Sequence, residues 1–219
     1  MSRPVSRCPT GRYDRGMTAT QTGRPRGSYA KTAARRREIL EAGMDVFAEQ
    51  GFRSGSLREV AERVGMSQAG LLHHFSTKND LLAAILDFRD DRDREQSAIE
   101  IGSGLEGIRG LLRLVEHNMR VPGLVELHCV LSAEATSPDH PAHDHFVRRY
   151  SWLIDGMTLS FQVMAREGQL VPGVEPASAA RMLIAMMDGL QLQWLLDRDA
   201  VDMAEETRRS LRPLLTVEL

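Results

Sequence analysis

GMSQAGLLHHFSTKNDLL, residues Gly65 to Leu82, sets two imidazoles side by side between a run of small residues and a second polar corner. Residues one apart on a helix point about 100° away from each other, so His73 and His74 do not easily converge on one metal ion. Helical metal pairs usually stand four apart. A catalytic base would want a nucleophile or carboxylate at hand, and the local candidates, Ser67, Ser76 and Thr77, are better used as helix caps. The pair reads instead as one ring packed inward with Phe75 and one facing solvent, where a ring nitrogen can donate to a phosphate.

The punctuation around this stretch decides its fold. Ser56-Leu57-Arg58-Glu59 has the form of a capping box, in which Ser and Glu each satisfy a free amide at a helix start. The short helix that follows runs through Val60, Ala61 and Val64 to Gly65, a residue that tolerates the left-handed turn. Ser67 caps a second short helix through Leu71, Leu72 and Phe75, and Thr77-Lys78-Asn79-Asp80 opens another. Three helix starts within about two dozen residues give two short helices crossing steeply, the helix-turn-helix arrangement. Two such helices cannot bury their own apolar residues. A longer helix, readable from Ala30 and ended by Gly51, must roof them with Ile39, Leu40, Val46 and Phe47.

On that frame the exposed start of the second short helix is Ser67, Gln68, Ala69 and Gly70. A helix in the major groove needs slim residues near the base edges, with an amide or a methyl to read them. Gln68 can bond a base edge, Ala69 can meet a thymine methyl, Gly70 permits close approach, and Ser67 can serve a phosphate while capping. Lys78 and Arg58, each at a helix start, can pair with backbone phosphate. A second possible reader is GRPRG, Gly23 to Gly27, where Arg24 and Arg26 are held in a slim extended form suited to a narrow minor groove. A disordered linker gives the same letters. Lys31, Arg35, Arg36 and Arg37 add phosphate attraction.

The charge distribution agrees with a polyanionic partner. Residues 1 to 40 hold ten Lys or Arg against two Asp or Glu, whereas residues 81 to 219 carry a net charge of −8. The 219 residues suffice for one large domain or a small one joined to a larger one. Cys8 and Cys129 lie in unlike surroundings and fit a reducing compartment, and no segment reads as a signal peptide or a membrane span, so a soluble, cytoplasmic protein is expected. The domain reading is a basic, disordered arm over 1–28, a helix-turn-helix domain over 29–76 and a helical body over 77–219.

Every segment after Asp80 reads as helix: Leu81 to about Ile99, Ile108 to Arg120, Leu124 to Thr136, His143 to Glu167, Ala177 to Asp197 and Met203 to Leu215, with prolines in the gaps. The fold class is therefore all-α. The helix from Ala177 to Asp197 is apolar nearly all round, so it is either central or shared with a second subunit, with Met182, Met186, Met187, Leu190 and Trp194 as the residues for such an interface. Met119, Phe146, Tyr150, Trp152, Met157, Phe161, Met164 and Trp194 can line an apolar pocket, though a helical core needs the same residues. In SPDHPAHDHF, residues 137 to 146, His140, His143 and His145 stand near Asp139 and Asp144, but their spacing is not a recognised zinc pattern and the acids suit a helix start. No metal, no cofactor and no catalytic set is expected.

The stretch REILEAGMDVFAEQGFRSGSLREVAERVGMSQAGLLHHFSTKNDLL, within a likeness that spans about Ala33 to Leu82, resembles the amino-terminal domain of the TetR family of transcriptional repressors. Beyond that point the likeness rests on length and helical layout. The resemblance implies base contacts from Arg58, Gln68, Ala69 and Gly70 and phosphate contacts from Ser56, Ser67, His73, His74 and Lys78. It also implies an intermolecular four-helix bundle built from the last two helices, binding to double-stranded DNA at a palindromic operator as a homodimer, and release by a small-molecule effector held among the middle helices. One departure is that the family's common aromatic pair before the histidine is Leu72-His73 here, so a tyrosine hydroxyl that often holds phosphate is missing. An activator of the same fold is an alternative, and a helical enzyme or metal-binding protein is the rival from another class.

Overall fold

The computed structural model describes residues 26–97 and 102–219, with side chains from Lys31 to Arg92 and from Gly102 onward. Among these residues the regular elements are α1 (Arg26–Ser54), α2 (Leu57–Arg63), α3 (Gln68–Leu72), α4 (Lys78–Ser97), α5 (Leu105–Met119), α6 (Pro122–Glu134), α7 (His143–Arg166), α8 (Pro176–Leu196) and α9 (Met203–Leu211). A single isolated antiparallel bridge joins Leu170 to Leu215. No described helix is long and apolar enough to cross a membrane.

The helix starts fall where the capping residues put them. Ser56 Oγ accepts from the Glu59 amide at 3.2 Å and Ser67 Oγ from the Gly70 amide at 3.1 Å. The Glu59 carboxylate turns to the Gln50 side-chain amide, whereas the box at α4 is reciprocal: Asp80 N donates to Thr77 Oγ1 and Thr77 N to Asp80 Oδ2, both at 3.0 Å. Gly65 takes φ +64° in the turn between α2 and α3. The first helix does not end at Gly51 as its sequence suggests. Gly51 breaks it with φ +74°, and a further turn runs on to Ser54. At the other end the expected helix over Met203 to Leu215 stops at Leu211 and continues as a 3-10 turn over Arg212–Leu214, since Pro213 lacks the amide an α-helix would use.

Two cores organise the chain. In the first, Ile39, Val46 and Phe47 of α1 meet Val60 and Ala61 of α2, Leu71 and Phe75 around α3, Leu81, Leu82 and Ile85 of α4, and Leu124, Leu127 and Leu131 of α6. That core is continuous across residue 76, so α4 belongs equally to the amino-terminal head of α1 to α3 and to the body. The arginines of α1 also hold the head: Arg35 donates to the Val64 carbonyl at 2.7 Å, and Arg36 lies 4.2 Å over the Phe75 ring and donates to the His74 carbonyl. In the second core, Ile108 and Leu111 of α5, Met157, Phe161 and Met164 of α7 and Leu183, Ile184, Met187 and Trp194 of α8 pack against Met203 and Leu211 of α9.

A polar chain, buried at Arg89 and His128, ties α4 to α6, α7 and α8. The Arg89 guanidinium donates to His128 Nδ1 at 3.1 Å, so the ring proton sits on Nε2 and points to Asp188 Oδ1 at 3.3 Å. The Tyr150 hydroxyl donates to Asp188 Oδ2 at 2.8 Å, and Arg149 of α7 pairs with Asp90 of α4. Burial, with the Arg89 and Arg149 charges, pushes His128 down to about 4 despite the Asp188 carboxylate, and burial beside that carboxylate pushes the Tyr150 phenol up.

A sign follows for acid stability. The unfolded chain takes a proton on His128 near pH 6.5 and the folded chain only near 4, so stability falls as pH drops through that window, by about 3 kcal/mol in full. Burial depresses His140 and His145 in the same direction. Urea midpoints measured from pH 7 to 4 should therefore decline steeply, and His128→Gln should flatten the slope whatever it does to the midpoint at pH 7.

Candidate nucleic-acid interface

The third helix is five residues long, and its two faces are sharply divided. Leu71 and Phe75 are fully buried against α1 and α2, while Ser67, Gln68, Ala69 and His73 are exposed and Gly70 is half-exposed. Leu72, which sequence reasoning did not single out as a contact, is 39% exposed on the same outward face. A bulky apolar side chain kept in solvent beside Gln68 and Ala69 is the kind of group that meets thymine methyls. The two histidines separate: His73 points to solvent and His74 is half-buried, with its carbonyl taken by Arg36.

Gly70 distinguishes an internal from an external need for slimness. A β-carbon there would meet Ser67 Oγ at 3.4 Å and Met66 Cε at 3.5 Å, ordinary contacts, and its φ is unexceptional. Nothing inside the protein demands a glycine.

The flanking residues differ in exposure. Ser56 is exposed while capping α2, and Arg58 is exposed with its guanidinium 2.8 Å from Glu62. Lys78, at the first residue of α4, is half-buried: its ammonium lies 4.5 Å over the Phe52 ring and donates to the Arg53 carbonyl at 3.2 Å, and burial lowers its pKa while Glu134 opposes that. Arg24 and the side chain of Arg26 lie outside the described residues.

In the body, a groove of about 420 Å³ opens between α6, α7 and α8, with Phe146 and Tyr150 on its wall and Ser132, Thr136, His143 and Arg181 around them. Of the residues read as pocket candidates, Phe146 and Tyr150 are brought there. Met157, Phe161, Met164 and Trp194 are buried in the second core, Met119 packs partly against it, and Trp152 is 48% exposed on the outside of α7. On α8, Met182, Leu192 and Leu196 face solvent at 67, 55 and 80% exposure, Met186 and Leu190 are half-buried, and Met187 is buried like Trp194. The three imidazoles of residues 137–146 go to separate partners. His140 meets Glu134 and Phe52, His143 bonds the Ala135 carbonyl, and His145 lies 3.7 Å from Asp90. Among the described residues no group of three metal-ligating side chains converges.

Comparison with known proteins covers both parts of the chain. Residues 39–85 match the family model described as bacterial regulatory proteins, tetR family, and residues 135–216 match that of the BetI-type transcriptional repressor C-terminal region, together more than half of the sequence. The chain is 26% identical over 192 residues to the HTH-type transcriptional repressor AcnR of Corynebacterium diphtheriae, covering 85% of this chain and 97% of that one. A TetR-family regulator from Agrobacterium tumefaciens shares the fold with a TM-score of 0.70 at 20% identity, over 84% and 99% of the two chains. SmeT, the repressor of a Stenotrophomonas maltophilia multidrug efflux pump, solved as a complex with triclosan, does so with a TM-score of 0.66 at 22% identity, over 82% and 88%.

Gly70→Ala separates reading from folding. Alanine is the better helix former by roughly 0.8–1 kcal/mol, so thermal stability should hold or rise, while a methyl added on the outward surface of α3 should weaken sequence-specific DNA binding. Calorimetry beside fluorescence anisotropy checks it, and a fall in stability with unchanged binding would reverse the assignment of this position.

Proposed function

The chain belongs to the TetR family of bacterial transcriptional regulators, and on that premise we propose that it is a repressor acting as a homodimer on a palindromic operator, released by a small molecule held in its body. The observation that carries the DNA-reading part is the division of α3: Leu71 and Phe75 anchor it from behind, while Gln68, Ala69, Gly70 and Leu72 are left outward with no internal task. Arg58 and Gln68 read bases in this scheme, and Ser56, Ser67, His73, His74 and Lys78 hold phosphates. The basic segment ahead of α1 directs Arg24 to the adjacent minor groove, the head runs from α1, which begins at Arg26, into the first turns of α4, and the rest of the chain forms the body.

One such head is too small to be selective, and two copies reading half-sites about 34–36 Å apart supply the remaining contacts. The outward stripe of α8, Met182, Leu192 and Leu196, and the exposed Trp152 and Leu159 of α7 give the second copy an apolar surface to cover. For the effector, the α6–α8 groove offers an aromatic wall with polar and cationic groups at its rim. Tyr150 on that wall is bonded to Asp188, Asp188 to His128 and His128 to Arg89 on α4, the helix that leaves the head. A ligand that prefers one arrangement of this chain shifts the population of head spacings that fit the operator. That SmeT binds triclosan supports the reading.

Two measurements test it. Fluorescence anisotropy with duplexes tiled across the DNA upstream of its own gene should find one sequence bound well above a scrambled control, by protein that sediments as a dimer; a monomer indifferent to every tile would overturn the proposal. Leu192→Glu should give a folded monomer whose affinity for the same duplex is lower on the order of 100-fold, because the second head is no longer tethered.

A further inference from the structure

The carboxylate of Glu134, at the last residue of α6, is spent on the end of α1. Its Oε2 accepts the Phe52 amide at 2.7 Å and its Oε1 the Arg53 amide at 3.4 Å. These are the amides just past the Gly51 break, where a kink takes backbone donors out of the helical ladder. A β-carbon at Gly51 would fall 2.6 Å from Glu134 Oε1, so the carboxylate fills the space beneath the break. The His140 ring, with a side chain only 2% exposed, accepts the Ala142 amide at Nδ1, which leaves its Nε2 proton facing Glu134 Oε2 at 3.6 Å. The same ring stacks edge-on against Phe52 with centroids 5.1 Å apart.

The position of this carboxylate in the chain path gives it its consequence. The unit containing α2 and α3 is entered through Phe52 and Arg53 and left through Lys78, and Lys78 bridges the two by donating to the Arg53 carbonyl while lying over Phe52. Glu134 thus binds, from the body, the point at which both ends of the reading unit are joined. The apolar contacts beneath α2 and α3 are non-directional and tolerate small rotations, whereas charge-assisted hydrogen bonds to two successive amides fix an angle. We propose that Glu134 is a positioning residue for DNA recognition, setting through the Phe52 and Arg53 amides the angle at which the α2–α3 unit leaves the body. This rests on α3 being the DNA-reading helix. Ser132, Ala135 and Thr136 beside it line the α6–α7 side of the groove, so a molecule seated there bears on the same turn of chain.

The test compares Glu134→Ala and Glu134→Gln with the wild type, as full-length protein, by two readouts. The first is amide hydrogen exchange over residues 52–76 of the DNA-free protein. The second is the ratio of affinities for the best upstream duplex and a scrambled one. In Glu134→Ala, exchange over 52–76 should rise about tenfold while α5 and α8 stay protected, and the affinity ratio should fall about tenfold with scrambled binding unchanged. Glu134→Gln keeps an oxygen for the Phe52 amide and should recover part of both effects, and it carries the same test if the alanine variant fails to fold. Unchanged exchange, an unchanged ratio, or an equal fall in both affinities, as general destabilisation would give, overturns the proposal. If the wild type shows no preference among duplexes, the operator-binding reading fails, and exchange over 52–76 alone then decides whether Glu134 holds the unit.

Discussion

Helices of seven and five residues do not stand alone, and that constraint orders the amino-terminal half of this protein. Isolated helices shorter than about 12–15 residues are marginal in water, because nucleation fixes several dihedrals for one hydrogen bond. α2 and α3 exist because serine caps take free amides at each start, a glycine supplies the left-handed turn between them, and Leu71, Phe75, Val60 and Ala61 are buried beneath Phe47, Val46 and Ile39. Everything that holds α3 acts from its ends or from behind, so its outward residues are excused from any stabilising role. An outward surface can then be slim and variable without loss of fold.

The same economy makes α4 the junction of the molecule. Its first turns, through Leu81, Leu82 and Ile85, complete the core beneath the head, and one turn later Arg89 reaches Asp188 of α8 through His128. A buried guanidinium and imidazole are costly to separate, since each would be left desolvated without its partner, and the half-buried Asp188 carboxylate completes the chain. The body and the head therefore move together or change together, through α4 on one side and through Glu134 on the other.

What the sequence made legible is what acts over three or four residues. Ser56, Ser67 and the Thr77–Asp80 box announced the helix starts, and Gly65 the turn, because a cap and its amide are neighbours along the chain. The Glu134 contacts to Phe52 and Arg53, the Arg35 contact to Val64 and the His128 chain join residues far apart in sequence, and no local pattern encodes them. Met157 and Phe161 show a different limit: an apolar residue at helical spacing has the same letters whether it fills a core or walls a pocket, and these two fill a core. Leu72 was overlooked because a leucine in a short apolar run is expected to point inward, yet Leu71 already takes that place and leaves its neighbour to solvent.

Charge adds a constraint on how such a molecule can approach DNA. The net charge of −2 conceals a first forty residues at +8 and a stretch from 81 onward at −8. Screening at physiological salt falls off over about 8 Å, so the acidic body is felt by a duplex only where it comes within that distance. An approach with the body turned toward the phosphates is repelled at contact, whereas one with α1 and the arm leading is attracted over the same range. The asymmetry thus selects orientation at the encounter, before any contact to a base is made.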